Sequence, residues 1–472
     1  MMRVLYCLAA LLIGLPASAE PRYLSFEAFG DVAVYGTSNS KAQLAIILAD
    51  KTLSVQARDG LGQAIAAQGG LAAVVDVERY SAAMDRHPET CAYHSWEFEK
   101  LSKFIQKTLG LSRYDPPILL GLGAGAGLSY TTFNEAPRGT FAGMMVSGLC
   151  RPFRMKKDLC SNEDETWSRA DKAHVAQLEP VDKTSEAWVA LPSSPMSSCD
   201  ANATADFFVQ IDGAEVLSPS QEPWGSAVWQ SDIANGVTKV RLKVSGRDRV
   251  DGDLADLPLH EELAKAVGVN VAPKTMAIIL TGDGGWAGLD RELAENFAAA
   301  GVNVVGLNSL RFFWKKRTPD ETAEALSRVI AHYTRLWNAQ HVLLIGYSFG
   351  ADVLPFAVRR LSDDDLKLVK GVALLAPGFK ADFEFNVTDW LSEKDDPDAL
   401  PVLPEILAMP TIPLMCAFAS EEEEAGETSC PQVPASRAKP YKTSGGHHFD
   451  GDFKAMAKAI LELQSSQPES GL

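Results

Sequence analysis

The sequence predicts an α/β protein built from two similar domains in tandem, each with a mainly parallel sheet. Three observations carry this. At 472 residues the chain is too long for one ordinary domain. Apolar strand-like runs alternate with helix-like stretches, and the runs are continuously apolar, as strands buried on both faces of a parallel sheet must be. The whole order then occurs twice.

The repeat is read element by element. Ala45–Leu48 (AIIL) recurs as Ala277–Leu280. After a helix-like stretch come the second strands, Ala72–Asp76 and Val302–Gly306. The third strands end in glycines, Ile118–Gly125 in one copy and Val342–Gly350 in the other, and the fourth are Gly143–Ser147 and Gly371–Leu375. The expected division is residues 20–218, a bridging stretch 219–256, and residues 257–472. The bridge opens with turn residues, Ser218-Pro219-Ser220 and Pro223-Trp224-Gly225. Its Val237–Val244 segment alternates apolar and polar residues and reads as a strand of a bridging hairpin.

Residues 1–19 read as targeting and not as fold. One Arg, an apolar run Val4–Leu15, Pro16, and then Ala17-Ser18-Ala19 describe a secretory signal cleaved after Ala19. The apolar run is short for a membrane span, and the style of the signal points to a periplasm. Beyond the signal lie six cysteines, Cys91, Cys150, Cys160, Cys199, Cys416 and Cys430, an even set that fits disulfides in an oxidising space. Sequence proximity suggests Cys150/Cys160 and Cys416/Cys430, leaving Cys91/Cys199, although connectivity is not fixed by spacing. No metal-ligand spacing is present and no cofactor is implied. The formal net charge of −17 disfavours nucleic acid and tight electrostatic binding to an anionic bilayer, and weakly favours a cationic substrate or headgroup.

The strongest motif is Gly346-Tyr347-Ser348-Phe349-Gly350. An apolar strand precedes it and a helix-compatible run, Ala351–Arg359, follows. This is the context of a nucleophile elbow, where glycines make room for a serine in a strained turn. A nucleophilic serine needs a base. In hydrolases of this fold the order is Ser, acid, His, and Ser444–Asp450 (SGGHHFD) near the C-terminus supplies His447, with His448 as the alternative. The acid should follow the strand Pro413–Phe418. Glu422, within the run Glu421–Glu424, has the best spacing, and Asp382 after the preceding strand is the second candidate. Most of the four glutamates must form a solvated loop. The oxyanion hole needs backbone N–H donors, expected from Phe349 and from Asp283 in the glycine-rich loop Thr281–Trp286. Gly284, Trp286 and Tyr347 flank these positions as candidate substrate contacts.

The first copy lacks all three elements. Gly123 stands where Ser348 stands, Asp50–Ser54 where Gly282–Trp286 stands, and Ile211–Glu215 where Gly445–Phe449 stands, without a histidine. The prediction is therefore tandem α/β-hydrolase-like domains with a degenerate, non-catalytic N-terminal copy suited to binding, regulation or shaping the site.

Gly282–Trp286, Leu310–Trp314, Thr318-Pro319, Gly346–Pro355 and Gly445–Asp450 together resemble the bacterial VirJ/AcvB virulence-protein family, in the longer AcvB form. The resemblance is strong over about the last 215 residues. It implies a periplasmic serine esterase hydrolysing an aminoacyl-phospholipid of lysyl-phosphatidylglycerol type, through an acyl-enzyme on Ser348. The alternative is a non-catalytic envelope factor that assists export and holds a protein partner through its N-terminal domain. An acidic rim, Asp283 or Glu421–Glu424, would suit a lysyl head. The basic and aromatic residues Arg311, Phe312, Phe313, Trp314, Lys315, Lys316 and Arg317 are expected either to rest on an anionic membrane surface or to form an ordinary packed loop. Thr318–Glu321 reads as a helix start with a capping box.

Overall fold

The structure is a computed structural model that describes residues 20–37, 42–154, 157–160, 166–169, 175–182, 184, 186–193, 201–244, 252–265, 274–386 and 398–466. Residues 1–19, on which the signal reading rests, lie outside these, as does Cys199.

In the first unit the strands are β1 (Arg22–Phe26), β2 (Gly30–Tyr35), β3 (Leu44–Ala49), β4 (Leu71–Asp76), β5 (Ile118–Leu122), β6 (Gly143–Ser147), a small antiparallel set β7 (Pro152–Arg154), β8 (Trp167–Arg169) and β9 (Val175–Leu178), then β10 (Ala187–Leu191) and β11 (Glu215–Val216). The main sheet has the order β1-β2-β4-β3-β5-β6-β10-β11. The second unit has β12 (Leu259–Glu262), β13 (Thr275–Leu280), β14 (Asn303–Leu307), β15 (His341–Tyr347), β16 (Val369–Leu375), the short pair β17 (Lys380–Ala381) and β18 (Leu400–Pro401), then β19 (Leu414–Ala419) and β20 (Lys439–Thr443). Its sheet runs β12-β14-β13-β15-β16-β19-β20.

Laid side by side, β4-β3-β5-β6-β10-β11 and β14-β13-β15-β16-β19-β20 are one order, and every pairing within them is parallel. An antiparallel strand closes each, β2 on β4 and β12 on β14. This is the α/β-hydrolase arrangement, present twice. The central strands are buried throughout because apolar clusters cover both faces of each sheet, with Ile46 and Ile47 facing opposite clusters in one and Ile278 and Ile279 in the other.

Two expectations fail here. The segment read as a hairpin strand is the last part of a helix, Ala227–Val244. Trp229, Ile233, Val237 and Val240 recur at helical spacing and are buried against the first sheet, whereas Leu242, whose place in the alternation suggested a strand, faces solvent. The cysteine pairing also differs: Cys91 bonds Cys160, alongside Cys416–Cys430. A backbone pair, Ala92 N–H to Asp158 O (2.9 Å) and Cys160 N–H to Ala92 O (3.0 Å), brings the distant segments together. Tertiary contact, not sequence proximity, sets the partner. Cys150 is disulfide-bonded as well.

Of the basic–aromatic stretch the aromatic residues face the interior, as in a packed loop, while Lys315 and Lys316 are exposed. Phe312, Phe313 and Trp314 are buried. The Trp314 indole N–H donates to Leu111 O (2.8 Å), and Arg311 donates to Tyr114 O (3.0 Å) and pairs with Asp115 (2.9 Å). These residues clamp the second unit to the end of the first unit's helix His94–Thr108. The capping box on Thr318 and Glu321 is present and starts the helix Pro319–Leu336.

Candidate active site

Ser348 lies between β15 and the helix Phe349–Val358 with φ 50° and ψ −121°, a left-handed turn that a serine adopts only under constraint. Strand β15 enters from the middle of the sheet, so the turn is fixed from both sides. Glycines are required around it for space. A Cβ on Gly346 would stand 2.5 Å from Gly350 O, and one on Gly350 would stand 2.1 Å from Leu280 O. The helix directs its free N-terminal N–H groups toward the serine.

His447 is carried by the loop after β20. Glu421 N–H donates to Gly445 O (3.1 Å) and buried Phe449 pins the loop to the core. Its Nε2 is 2.8 Å from Ser348 Oγ, and its Nδ1 is 2.7 Å from Glu422 Oε1. A carboxylate only accepts, so Nδ1–H donates to Glu422 and Nε2 is left to accept the serine proton. Glu422 lies in the first turn of the helix Ser420–Ala425, directly after β19. It is 3% exposed, and its other oxygen accepts from Ala419 N–H (3.0 Å). The remaining three glutamates of the run are exposed, and Glu423 pairs with Lys442. The contact to His447 is thus made by Glu422, not by Asp382 beside β17. His448 makes no such bond, its ring centroid lying 6.0 Å from that of His447.

The electrostatics separate these groups. Burial pushes the Glu422 carboxyl up, but the hydrogen bonds from His447 and Ala419 outweigh it and hold the pKa below the ordinary value. Burial pushes His447 down, yet the Glu422 bond and charge, with Asp283 and Glu427, raise it overall. His448 is lowered, first by burial and then by the charge of His447. The arrangement favours His447 as the group that takes up a proton and Glu422 as the one that stays ionised.

The loop after β13 reaches the same point. A Cβ on Gly282 would lie 3.5 Å from Ser348 Cβ. The Gly282 N–H is used by buried Asp290 (3.4 Å). Among the described residues the N–H groups of Phe349 and Asp283 have no hydrogen-bond partner, as donors awaiting an oxyanion must.

The three candidate substrate contacts have different surroundings. Tyr347 is buried, and its hydroxyl donates to His447 O (3.2 Å), so it supports the histidine loop. Gly284 and Trp286 line a cavity of about 340 Å³ between the units, with Glu99, Tyr114 and Arg311, and neither Ser348 nor His447 lines it. Trp286 stacks on His260 at 5.3 Å and covers Gly306.

Two site-supporting residues escaped the sequence. Asp290 was visible only as an acidic residue opening the helix Gly288–Ala299. Lys103, whose Nζ donates to Asp283 O (3.1 Å), belongs to the first unit, and nothing in its helical context distinguishes it. The first unit's counterpart of the histidine loop also follows β11, at residues 217–220, and not at Ile211–Glu215 as the sequence comparison placed it. It too carries no histidine.

Residues 274–467 match the family described as bacterial virulence protein (VirJ), a little under half of the chain. The second unit is therefore a VirJ-like α/β-hydrolase domain. No curated protein sequence matches the chain. Similar solved structures include MenH from S. aureus (13% identity, 44% of this chain and 98% of that chain, TM-score 0.33). Est1E from Butyrivibrio proteoclasticus is 15% identical over 46% of this chain and 98% of that chain, with TM-score 0.31. An α/β serine hydrolase without lid from Xanthomonas campestris is 13% identical over 45% and 91%, with TM-score 0.28.

Proposed function

We propose that the second unit is a serine esterase working through an acyl-enzyme on Ser348. The observation that carries this reading is the unbroken relay Ser348–His447–Glu422, at 2.8 and 2.7 Å. In the proposed cycle Ser348 Oγ attacks an ester carbonyl while His447 Nε2 takes its proton. The oxyanion is held by the N–H groups of Phe349 and Asp283, and the protonated His447 passes its proton to the leaving alkoxide. Water, activated by the same imidazole, then attacks the acyl-enzyme and releases the acid and free Ser348.

For the substrate we propose an aminoacyl-phospholipid of lysyl-phosphatidylglycerol type at a membrane surface. Two points support it: the family resemblance, and the acidic groups Asp283 and Glu427 whose charge is felt at His447. A lysyl ester bound there would place its ammonium among carboxylates. The disulfides favour an oxidising, extracytoplasmic compartment, and we propose the periplasm. No helix among the described residues is long and apolar enough to cross a membrane.

The test is release of lysine from vesicles containing lysyl-phosphatidylglycerol, with Ser348→Ala as control and a fluorophosphonate probe reporting the nucleophile. Release by the parent protein and none by Ser348→Ala is expected. Equal turnover by Ser348→Ala would sink the reading. A parent protein that the probe leaves unlabelled would favour a non-catalytic envelope role.

A further inference from the structure

The helix His94–Thr108 of the first unit packs Lys103 into the junction between the units, where its side chain is 1% exposed. Its Nζ pairs with Glu99 at 2.9 Å on the same helix, and it stands 5.3 Å from the Phe385 ring centroid of the second unit. A buried ammonium is retained only where it is paired and hydrogen-bonded, and an apolar side chain of similar length would fill this space without that penalty. What the lysine adds is a charge-assisted bond to one particular carbonyl, Asp283 O at 3.1 Å.

That carbonyl lies in the loop expected to supply the second oxyanion donor. The loop needs holding there. Its exposed apex, Gly284, has open space where a Cβ would lie, so no side-chain packing fixes it. The Gly282–Asp283 peptide is held at Gly282 O by Gly285 N–H (3.1 Å) and by the Thr281 hydroxyl (3.0 Å), and Asp290 takes the Gly282 N–H, but none of these bonds reaches the Asp283–Gly284 peptide. A cation on Asp283 O holds the Asp283–Gly284 peptide, which adjoins the Gly282–Asp283 peptide that carries the Asp283 N–H, and so limits how Asp283 can turn about its Cα. Placement to within a fraction of an ångström is what makes such a donor effective.

We propose that Lys103 is a positioning residue for the oxyanion loop, so that the degenerate first unit completes the active site of the second. This rests on the esterase reading above. The inactive copy thereby acquires a physical role, because it supplies the cation that the catalytic unit's own loop lacks at this carbonyl.

The experiment uses the full chain and four proteins: the parent, Glu99→Gln, Lys103→Met, and the pair Glu99→Met/Lys103→Met. The pair removes both buried charges together, a replacement that is usually neutral or stabilising, so it stays folded where Lys103→Met alone does not. Ester hydrolysis, melting temperature and affinity for a boronic acid that forms a tetrahedral adduct on the serine are measured. In the pair we expect an undiminished melting temperature, KM within about twofold, and kcat and boronate affinity both reduced about 10–100-fold, somewhat less than deletion of an oxyanion donor itself. Glu99→Gln, which keeps the lysine bond to Asp283, should retain near-parent kcat. A folded pair with parent kcat and parent boronate affinity overturns the role of Lys103 and leaves Ser348 standing. A parent protein that neither turns over esters nor labels at Ser348 overturns the esterase reading, and this proposal with it.

Discussion

Gly123 and Ser348 hold the same backbone conformation, φ 61° and ψ −124° against φ 50° and ψ −121°, each between a central strand and a helix. The first unit has the same turn with a glycine in place of the serine. Asp50 Oδ2 accepts the Ala124 N–H (2.8 Å), the group equivalent to the Phe349 N–H, so a carboxylate of the protein's own occupies the anion position. A side chain at Gly123 would meet the Asp50 and Thr52 oxygens at 3.0–3.1 Å. We predict that Gly123→Ser destabilises the protein by roughly 1–3 kcal/mol, the usual range for a strained left-handed residue. It should create no second reactive serine. Probe stoichiometry by intact mass should remain one per chain, and two labels would contradict the blocked site.

His447 and His448 are neighbours with opposite expectations. His447→Ala removes the base and should lower kcat by at least ~10³-fold, within the range that acid–base groups contribute. His448→Ala, lacking a bond to Ser348, should change kcat/KM by no more than about twofold, as surface substitutions do. Steady-state kinetics on a soluble ester distinguish them, and equal losses would reassign the base.

The pH dependence follows from the same pair. Protonated His447 cannot accept the serine proton, so activity is lost as pH falls through its pKa. Burial lowers that pKa, but the Glu422 bond and charge raise it above the ordinary 6.5. The acid limb of kcat/KM should therefore lie above pH 6.5 in the parent. In Glu422→Gln the largest raising influences, the Glu422 bond and charge, are gone and only Asp283 and Glu427 still oppose burial, so the limb should move to lower pH. The kcat plateau should fall about 10⁴-fold, because an amide no longer enforces the tautomer. A limb that stays in place in Glu422→Gln would mean that another carboxylate sets the imidazole.

The chain announces some of this and conceals the rest for physical reasons. The repeated strands were legible because a parallel strand buried on both faces leaves a continuous apolar run. Ser348 and His447 were legible because elbow and histidine loop need glycines at fixed offsets, as the close approach of Gly350 to Leu280 O shows. Glu422 was ambiguous within its glutamate run, and only the fold reveals which carboxylate points inward. The helix Ala227–Val244 was misread because its last residues alternate by chance while its first residues carry the true period. The roles of Lys103, Arg311 and Trp314 were invisible, since each depends on a surface from the other unit, and an aromatic–basic string reads alike whether it meets lipid or protein.

The disulfide Cys416–Cys430 joins β19 to the chain 14 residues later and encloses the helix that bears Glu422. Closing a loop of about this length stabilises a fold by ~3 kcal/mol in the chain-entropy account. For a unit of this size that corresponds to roughly 6–12 °C in melting temperature. The position of Glu422, however, is set by other bonds: β19 pairs with β16 and β20, and Ala419 N–H holds the carboxylate. Cys416→Ala/Cys430→Ala should therefore melt earlier by that amount yet keep kcat within a few-fold when assayed well below the transition. Calorimetry and initial rates on the same preparation separate the two effects. A large kcat loss in a variant still fully folded would show that the disulfide itself positions the acid.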